Sequence, residues 1–341
     1  MDSFSSVQRK KDRIRVLKLI ILSIILLLVF FLGSLIGPYA ISIGDFFKTI
    51  FGHGNSNTNF VIFELRIPRL LLSLFVGIGM GAAGVIMQNL LHNDLASPGT
   101  LGVADGASLF VTLYFALIST KANKPELLPI LALDGGLLSS LIIYLLSVKR
   151  KKQVSSTKLI MTGVAMSALY SAISTFLMYA LDENQLESLQ RWNAGDIGTT
   201  VPWTNVIILG IWISVFFVLT MSQSRTLDTI NLGYDTATSL GVNIKKAFLI
   251  LAILAVGMAS SSVAFGGNFF FLGLIGPHIA RRLVGTKTKY LIPASGIIAS
   301  IIIISASILV ENVSIFMNIP TGIFVSIISV PYFLYLLLRS R

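Results

Sequence analysis

Long apolar runs separated by short polar breaks dominate the chain. A run of about 20 apolar residues is enough to cross a bilayer as a helix. Ten runs are predicted to do so, at 16–36, 70–91, 101–119, 127–148, 159–181, 206–221, 248–264, 265–283, 291–310 and 321–338. The eighth is the weakest, because Gly266, Gly267, Gly273, Gly276 and Pro277 interrupt it. Such breaks survive in a span only where neighbouring helices satisfy the freed backbone groups. Gly77, Gly81 and Gly84 mark one face of the second run and read as a close-packing stripe. The pattern describes an all-α polytopic membrane protein of one domain, residues 1–341. A basic segment, 1–15, precedes the first run, which is too long for a signal-peptide core and reads as a retained span.

The polar break at 220–247 differs from the others. Tyr234, Ala237 and Leu240 recur at three-residue spacing, which predicts a short amphipathic helix. Asp235 is placed to cap its start and Gly241 to end it, with Lys245 and Lys246 just beyond. The residues alone leave two readings open: a docking element within a loop at 222–246, or an ordinary interfacial helix.

Composition agrees with the membrane reading. The chain is 54% hydrophobic and 12% charged, where soluble domains carry about a quarter charged residues. Mean hydropathy is +0.84. The absence of cysteine excludes disulfides, thiolate metal sites, iron–sulfur clusters and a cysteine nucleophile. A net charge of +11 would suit nucleic acid, but the basic residues gather between apolar runs, as they do when they set membrane orientation. Ten runs put both termini on one side. Of the 26 Lys and Arg, six (Lys48, Arg66, Arg69, Lys121, Lys124 and Arg191) fall on the far side, which leaves twenty with the termini. That side is therefore assigned to the cytoplasm.

Candidate chemistry is sparse. The chain has no G-x-x-x-x-G-K-[ST], H-E-x-x-H or G-x-S-x-G. His53, His92 and His278 lack ligand-type spacing, so no metal site is expected. Asp105, Asp134 and Glu311 are the acids in or beside apolar runs and are functional candidates on that ground. An ion-coupled carrier would show more such acids, or broken helices in matched halves. An intramembrane hydrolase or acyltransferase would need a nucleophile–base pair or a metal constellation, and the sequence offers neither.

Five stretches, in order and with their spacing, carry a resemblance. They are ELRIPR at 64–69, GVIMQNLLHNDLASPGTLGVADGA at 84–107, LGYDTATSLGV at 232–242, AFGGNFFFLGLIGPHIAR at 264–281 and PTGIFVSIISVPYFLYLLLR at 320–339. Together they resemble the FecCD/BtuC-type permease subunits of type II ABC importers for iron–siderophore complexes, haem and cobalamin. The resemblance implies a ten-span permease fold with both termini cytoplasmic, in a bacterial cell membrane. It implies a second permease subunit, either a close homologue, which is preferred, or a second copy of this chain; two ATPase subunits that hold ATP and Mg so that this chain binds no cofactor; and an extracytoplasmic solute-binding protein. By the same resemblance, Leu232, Gly233, Ala237, Leu240 and Gly241 belong to the ATPase-coupling helix, with His278 and Arg281 beside it. Arg66 and Arg69 match an outward pair that docks the binding protein; anchoring at lipid headgroups is the other reading. Pro68 is expected to hold Ile67 extended and to start the helix there. Met161, Met166, Ser167 and Ser171 are expected on the translocation path. The substrate implied is a ferric siderophore, with a hydroxamate preferred and haem and cobalamin left open.

This chain departs from the family pattern in three places. His92, Asn93 and Asp94 stand where Arg-Asn-Pro is usual, and Ser97 where Asp is usual. Ser307 and Glu311 replace an outer Asp and Arg, which reverses the local charge. Asn318, Ile319 and Pro320 replace Glu-Leu-Pro. One explanation of the reversal is pairing with a homologous permease that supplies the missing contact.

Overall fold

The computed structural model describes residues 2–119, 124, 126–147, 156–316 and 319–339. The basic cluster at 149–152 and Lys121 lie outside the described residues. The first half of the chain forms α1 (Asp2–Leu35), α2 (Ile43–Ile50), α3 (Ser56–Asn59), α4 (Ile67–Leu91), α5 (Val103–Leu113), α6 (Leu127–Ser147) and α7 (Ser156–Met178). The second half forms α8 (Glu183–Asn193), α9 (Trp203–Ser222), α10 (Ser224–Ile230), α11 (Tyr234–Ser239), α12 (Ile244–Gly266), α13 (Leu272–Val284), α14 (Thr288–Asn312) and α15 (Thr321–Arg339). Each predicted run holds a helix, and among the described residues seven helices are long and apolar enough to cross a membrane. The architecture is the all-α polytopic one that the apolar runs predict.

The core is built on α4, α12 and α14, whose side chains are mostly buried. The stripe on α4 explains the close approach. A Cβ at Gly77 would lie 2.5 Å from the Ser300 backbone, and one at Gly81 2.5 Å from the Ser295 carbonyl. With no side chain in the way, Ser295 Oγ donates to Gly81 O and Ser300 Oγ to Leu74 O, both at 2.8 Å. Such interhelical bonds hold where no hydrophobic force between helices is available. Around this core α1, α6, α7 and α9 expose much of their apolar surface.

Two expectations are corrected. The eighth run is not one full span. The chain leaves the helix after Gly266 and re-enters at Leu272, and α13 has 13 residues, about 20 Å long against a hydrocarbon core of about 30 Å. The break packs against the turn at 194–195, where Gly195 O also accepts Gly322 N–H at 2.9 Å. Pro68 does not start its helix either. Ile67 is helical (φ −59°, ψ −47°), and helix continues back through a π turn, Phe60–Arg66, to Ser56. Proline inside a helix clashes with a preceding carbonyl. The π turn shifts those carbonyls, so that Ile67 N–H bonds Ile62 O instead.

Candidate functional site

The break between α9 and α12 forms two short helices and a tight stop. Gly233, at φ 102°, takes the N-cap position of α11, and Asp235 lies inside the first turn, so the expected aspartate cap is not formed. The other end is as the spacing predicts. Gly241 is left-handed at φ 87°. Its N–H donates to Thr238 O at 2.9 Å, and Val242 N–H to Ala237 O at 3.0 Å. These are the paired bonds of a Schellman stop. Asn243 then caps α12 by accepting Lys246 N–H at 3.2 Å. Ala237 is fully buried, whereas Leu232 and Leu240, flanking α11, are each 63% exposed. Two apolar side chains are thus left exposed on either side of a helix fixed in place.

Three hydrogen bonds tie this loop to the helix ends above it. His92 Nε2 donates to Ile230 O at 2.9 Å. Its ring stands edge-on to Tyr234, with centroids 4.7 Å apart. The Tyr234 hydroxyl donates to Leu90 O, and burial pushes its pKa up to about 12, so it keeps its proton. The Asp228 carboxylate accepts Thr288 N–H at 2.8 Å and so caps α14. The loop is thereby coupled to the inner ends of α4 and α14. By sequence His92 is a departure from the family pattern and a histidine without ligand spacing, and Asp228 carries no signal. Nothing local marks Asp228, because its partner lies sixty residues on.

Arg281, in the last turn of α13, pairs with Asp94 and donates to Gln88 Oε1 at 3.1 Å. Asp94 therefore gives Arg281 a carboxylate at a place where a proline is usual. His278, one turn earlier, is half-buried and edge-on to Tyr332, 6.0 Å between centroids. The partners of both lie on α4, the turn after it and α15. Gln88, Arg281 and Leu232 share the wall of an open cleft of about 770 Å³ between this loop and the start of α1.

On the opposite face the arginine pair points inward. Arg66 is 8% exposed and Arg69 6%. Arg66 Nη1 donates to Ser34 O at 2.9 Å and Leu35 O at 2.8 Å, and Nη2 to Tyr39 O, closing the end of α1. Arg69 pairs with Glu311 at the end of α14. The reversed charge at Glu311 thus neutralises a buried arginine of the same chain. The expected path residues divide. Met161 and Ser171 are exposed on α7, while Met166 and Ser167 are half-buried, with Ser167 lying against the Gly102 turn. Asp134 is exposed on α6.

Residues 25–339 match the model of the FecCD transport family. The chain belongs to the FecCD transport family. It is 35% identical over 323 residues to the iron(3+)-hydroxamate import system permease protein FhuG of Bacillus subtilis, covering 93% of this chain and 95% of the relative. It is 32% identical over 328 residues to the hemin transport system permease protein HmuU of Yersinia pestis, covering 93% and 94%. A solved metal-chelate type ABC transporter in an inward-facing conformation superposes with a TM-score of 0.81 at 25% identity, covering 95% of this chain and 99% of that one. As a FecCD family member the chain is a multi-pass membrane protein, and in this family ATP hydrolysis falls to another subunit.

Proposed function

We propose that the chain is the permease subunit of an ATP-driven importer that carries a ferric hydroxamate siderophore across the cytoplasmic membrane of a bacterium. One observation carries the coupling part: Leu232 and Leu240, flanking α11, face outward while His92, Tyr234 and Asp228 fix the loop to α4 and α14. A partner pressing on that helix moves the two helix ends with it. The partners proposed are two ATPase subunits holding ATP and Mg, a homologous second permease, and an extracytoplasmic solute-binding protein. The exposed stretch of α7 with Met161 and Ser171 lines the path between the permeases. Arg66 and Arg69 serve binding-protein docking indirectly, by holding the segment that ends α1 and the outer end of α14. The likeness to the hydroxamate permease supports the substrate.

Haem is the second reading, because the hemin permease is matched almost as well. Radio-iron uptake in cells lacking the gene, complemented or not, separates the two. Loss and rescue of ferric hydroxamate uptake is expected. Loss of haem uptake alone would replace the substrate, and normal iron uptake throughout would overturn both readings.

A further inference from the structure

Between α6 and α12 an apolar groove of about 150 Å³ opens over α4. Met87 and Leu90 of α4 form its floor with Phe248 and Val256 of α12, and all four are buried. Leu137 and Leu141 of α6 face Leu249 and Ile253 of α12 across its rim, and these are 38–56% exposed. The lining offers little to water. The Ser140 hydroxyl is spent within its own helix, donating to Gly136 O at 2.9 Å. The other lining hydroxyl belongs to Tyr144, near the inner end of α6, where an amphipathic ring suits the headgroup level. An apolar occupant is favoured everywhere else in the groove.

The groove lies in the inner half of the bundle. Leu90 is one residue from the end of α4, and Phe248 is one turn from the start of α12. From Phe248 to Val256 the helix rises about 12 Å, against roughly 15 Å of hydrocarbon in one leaflet. Lys245 and Lys246 stand one turn inward of Leu249 on the same face of α12, since residues three and four apart are neighbours on a helix. Both are exposed, and neither pairs with a carboxylate among the described residues. Lys158, next to the lining residue Leu159, adds a third cation and donates to Leu146 O at 3.0 Å, at the inner end of α6. The four helices around the groove (α4, α6, α7 and α12) carry one acid, Asp134, and it lies outward of Leu137. The inner mouth is therefore cationic and the groove behind it apolar.

We propose that an anionic phospholipid of the inner leaflet binds here, with one acyl chain in the groove and its phosphate over Lys245 and Lys246. The depth of the groove matches the chain, and the unpaired lysines match the charge. Basic sites between membrane helices on the inner side select anionic headgroups in this way. A zwitterionic lipid brings the same tails, but its own cation offsets the attraction. The proposal needs only the membrane reading of the chain and stands apart from the coupling role of α11. Its consequence falls on α4, because Leu90, on the groove floor, also supplies the carbonyl that accepts the Tyr234 hydroxyl. A seated acyl chain packs behind the joint that holds the loop.

The full chain, co-purified with the subunits it assembles with, is reconstituted in phosphatidylcholine vesicles. These hold a trace of either phosphatidylglycerol or phosphatidylcholine carrying a diazirine on one acyl chain. Photolysis and peptide mass spectrometry then locate the adducts. Phosphatidylglycerol is expected to label the stretches 137–144 and 248–256 in preference to phosphatidylcholine. Lys245→Gln and Lys246→Gln should each reduce that preference about fivefold, and Lys245→Arg with Lys246→Arg should keep it. Both lysines are exposed, so these variants leave the packing untouched. Ala252→Phe fills the groove without altering the lysines and should remove the groove adducts. Equal labelling by the two lipids, indifferent to the lysines, is ordinary boundary lipid and overturns the proposal. Absence of groove adducts from either lipid in the assembled complex means that another protein subunit covers the groove, which overturns it as well. A full preference that survives Ala252→Phe would reduce the lysines to a diffuse surface charge and overturn the seated chain.

Discussion

The Asp228 carboxylate accepts the main-chain N–H of Thr288 at 2.8 Å, so the loop carrying α11 caps the helix beside which it lies. Removing an N-cap of this kind costs about 1 kcal/mol. Asp228→Ala should lower the thermal stability of the detergent-purified complex and loosen nucleotide-driven transport. Asp228→Asn keeps an accepting oxygen and should recover most of the stability. A stability identical for Ala and wild type would remove the cap from the account.

Gly241 adopts φ 87° with open space around it. Any L side chain there is strained by the backbone alone, about 1–2 kcal/mol. Gly241→Trp adds bulk on the docking surface as well. It should insert into the membrane normally and uncouple ATP hydrolysis from uptake in proteoliposomes, with hydrolysis retained and transport lost. Unchanged uptake would dismiss the stop of α11 as a coupling feature.

Tyr234→Phe keeps the ring against His92 and deletes only the hydroxyl bonded to Leu90 O. One neutral hydrogen bond is worth about 0.5–1.5 kcal/mol. His92→Ala deletes the ring contact and the bond to Ile230 O together. Transport by the double variant should be less impaired than the product of the single defects, because both anchors serve one joint. Strictly independent effects in a double-mutant cycle would argue against a shared anchor.

Glu311→Ala strands the guanidinium of Arg69, which is 6% exposed, without its carboxylate. Breaking one partner of a buried pair costs about 3–5 kcal/mol, whereas replacing both by apolar or neutral groups is often tolerated. The single variant should express poorly, and Arg69→Met with Glu311→Gln should restore membrane yield. Reversing Arg66 and Arg69 to glutamate should likewise cause a loss that salt does not modulate, since neither side chain is offered to the surface. A defect graded by ionic strength would instead restore the docking role expected from sequence.

The stop of α11 was legible because every part of it is local: three-residue apolar spacing followed by a glycine. Its start was misread, since Asp235 suits a cap by type while the chain turns two residues earlier, at Gly233. The eighth run shows the limit of hydropathy. Its apolar residues are continuous enough to span, but the glycines at 266–267 let the chain leave the helix where other backbone segments meet it. Arg66 and Arg69 look like surface residues by charge, and nothing in ELRIPR announces the carbonyls of Ser34, Leu35 and Tyr39 or the carboxylate of Glu311.

The sequence by itself determined the membrane class, the positions of the apolar helices, the orientation implied by its charges and the resemblance to a transport family. These follow from properties summed over windows of about 20 residues or carried by contiguous motifs, because a bilayer tests each stretch of chain separately. Only the tertiary structure decided which polar groups are spent within the chain and which are left for a partner. A hydrogen bond depends on where helix ends meet, and Asp228 with Thr288, Arg69 with Glu311 and Arg281 with Asp94 are joined across distances in sequence that no local pattern encodes.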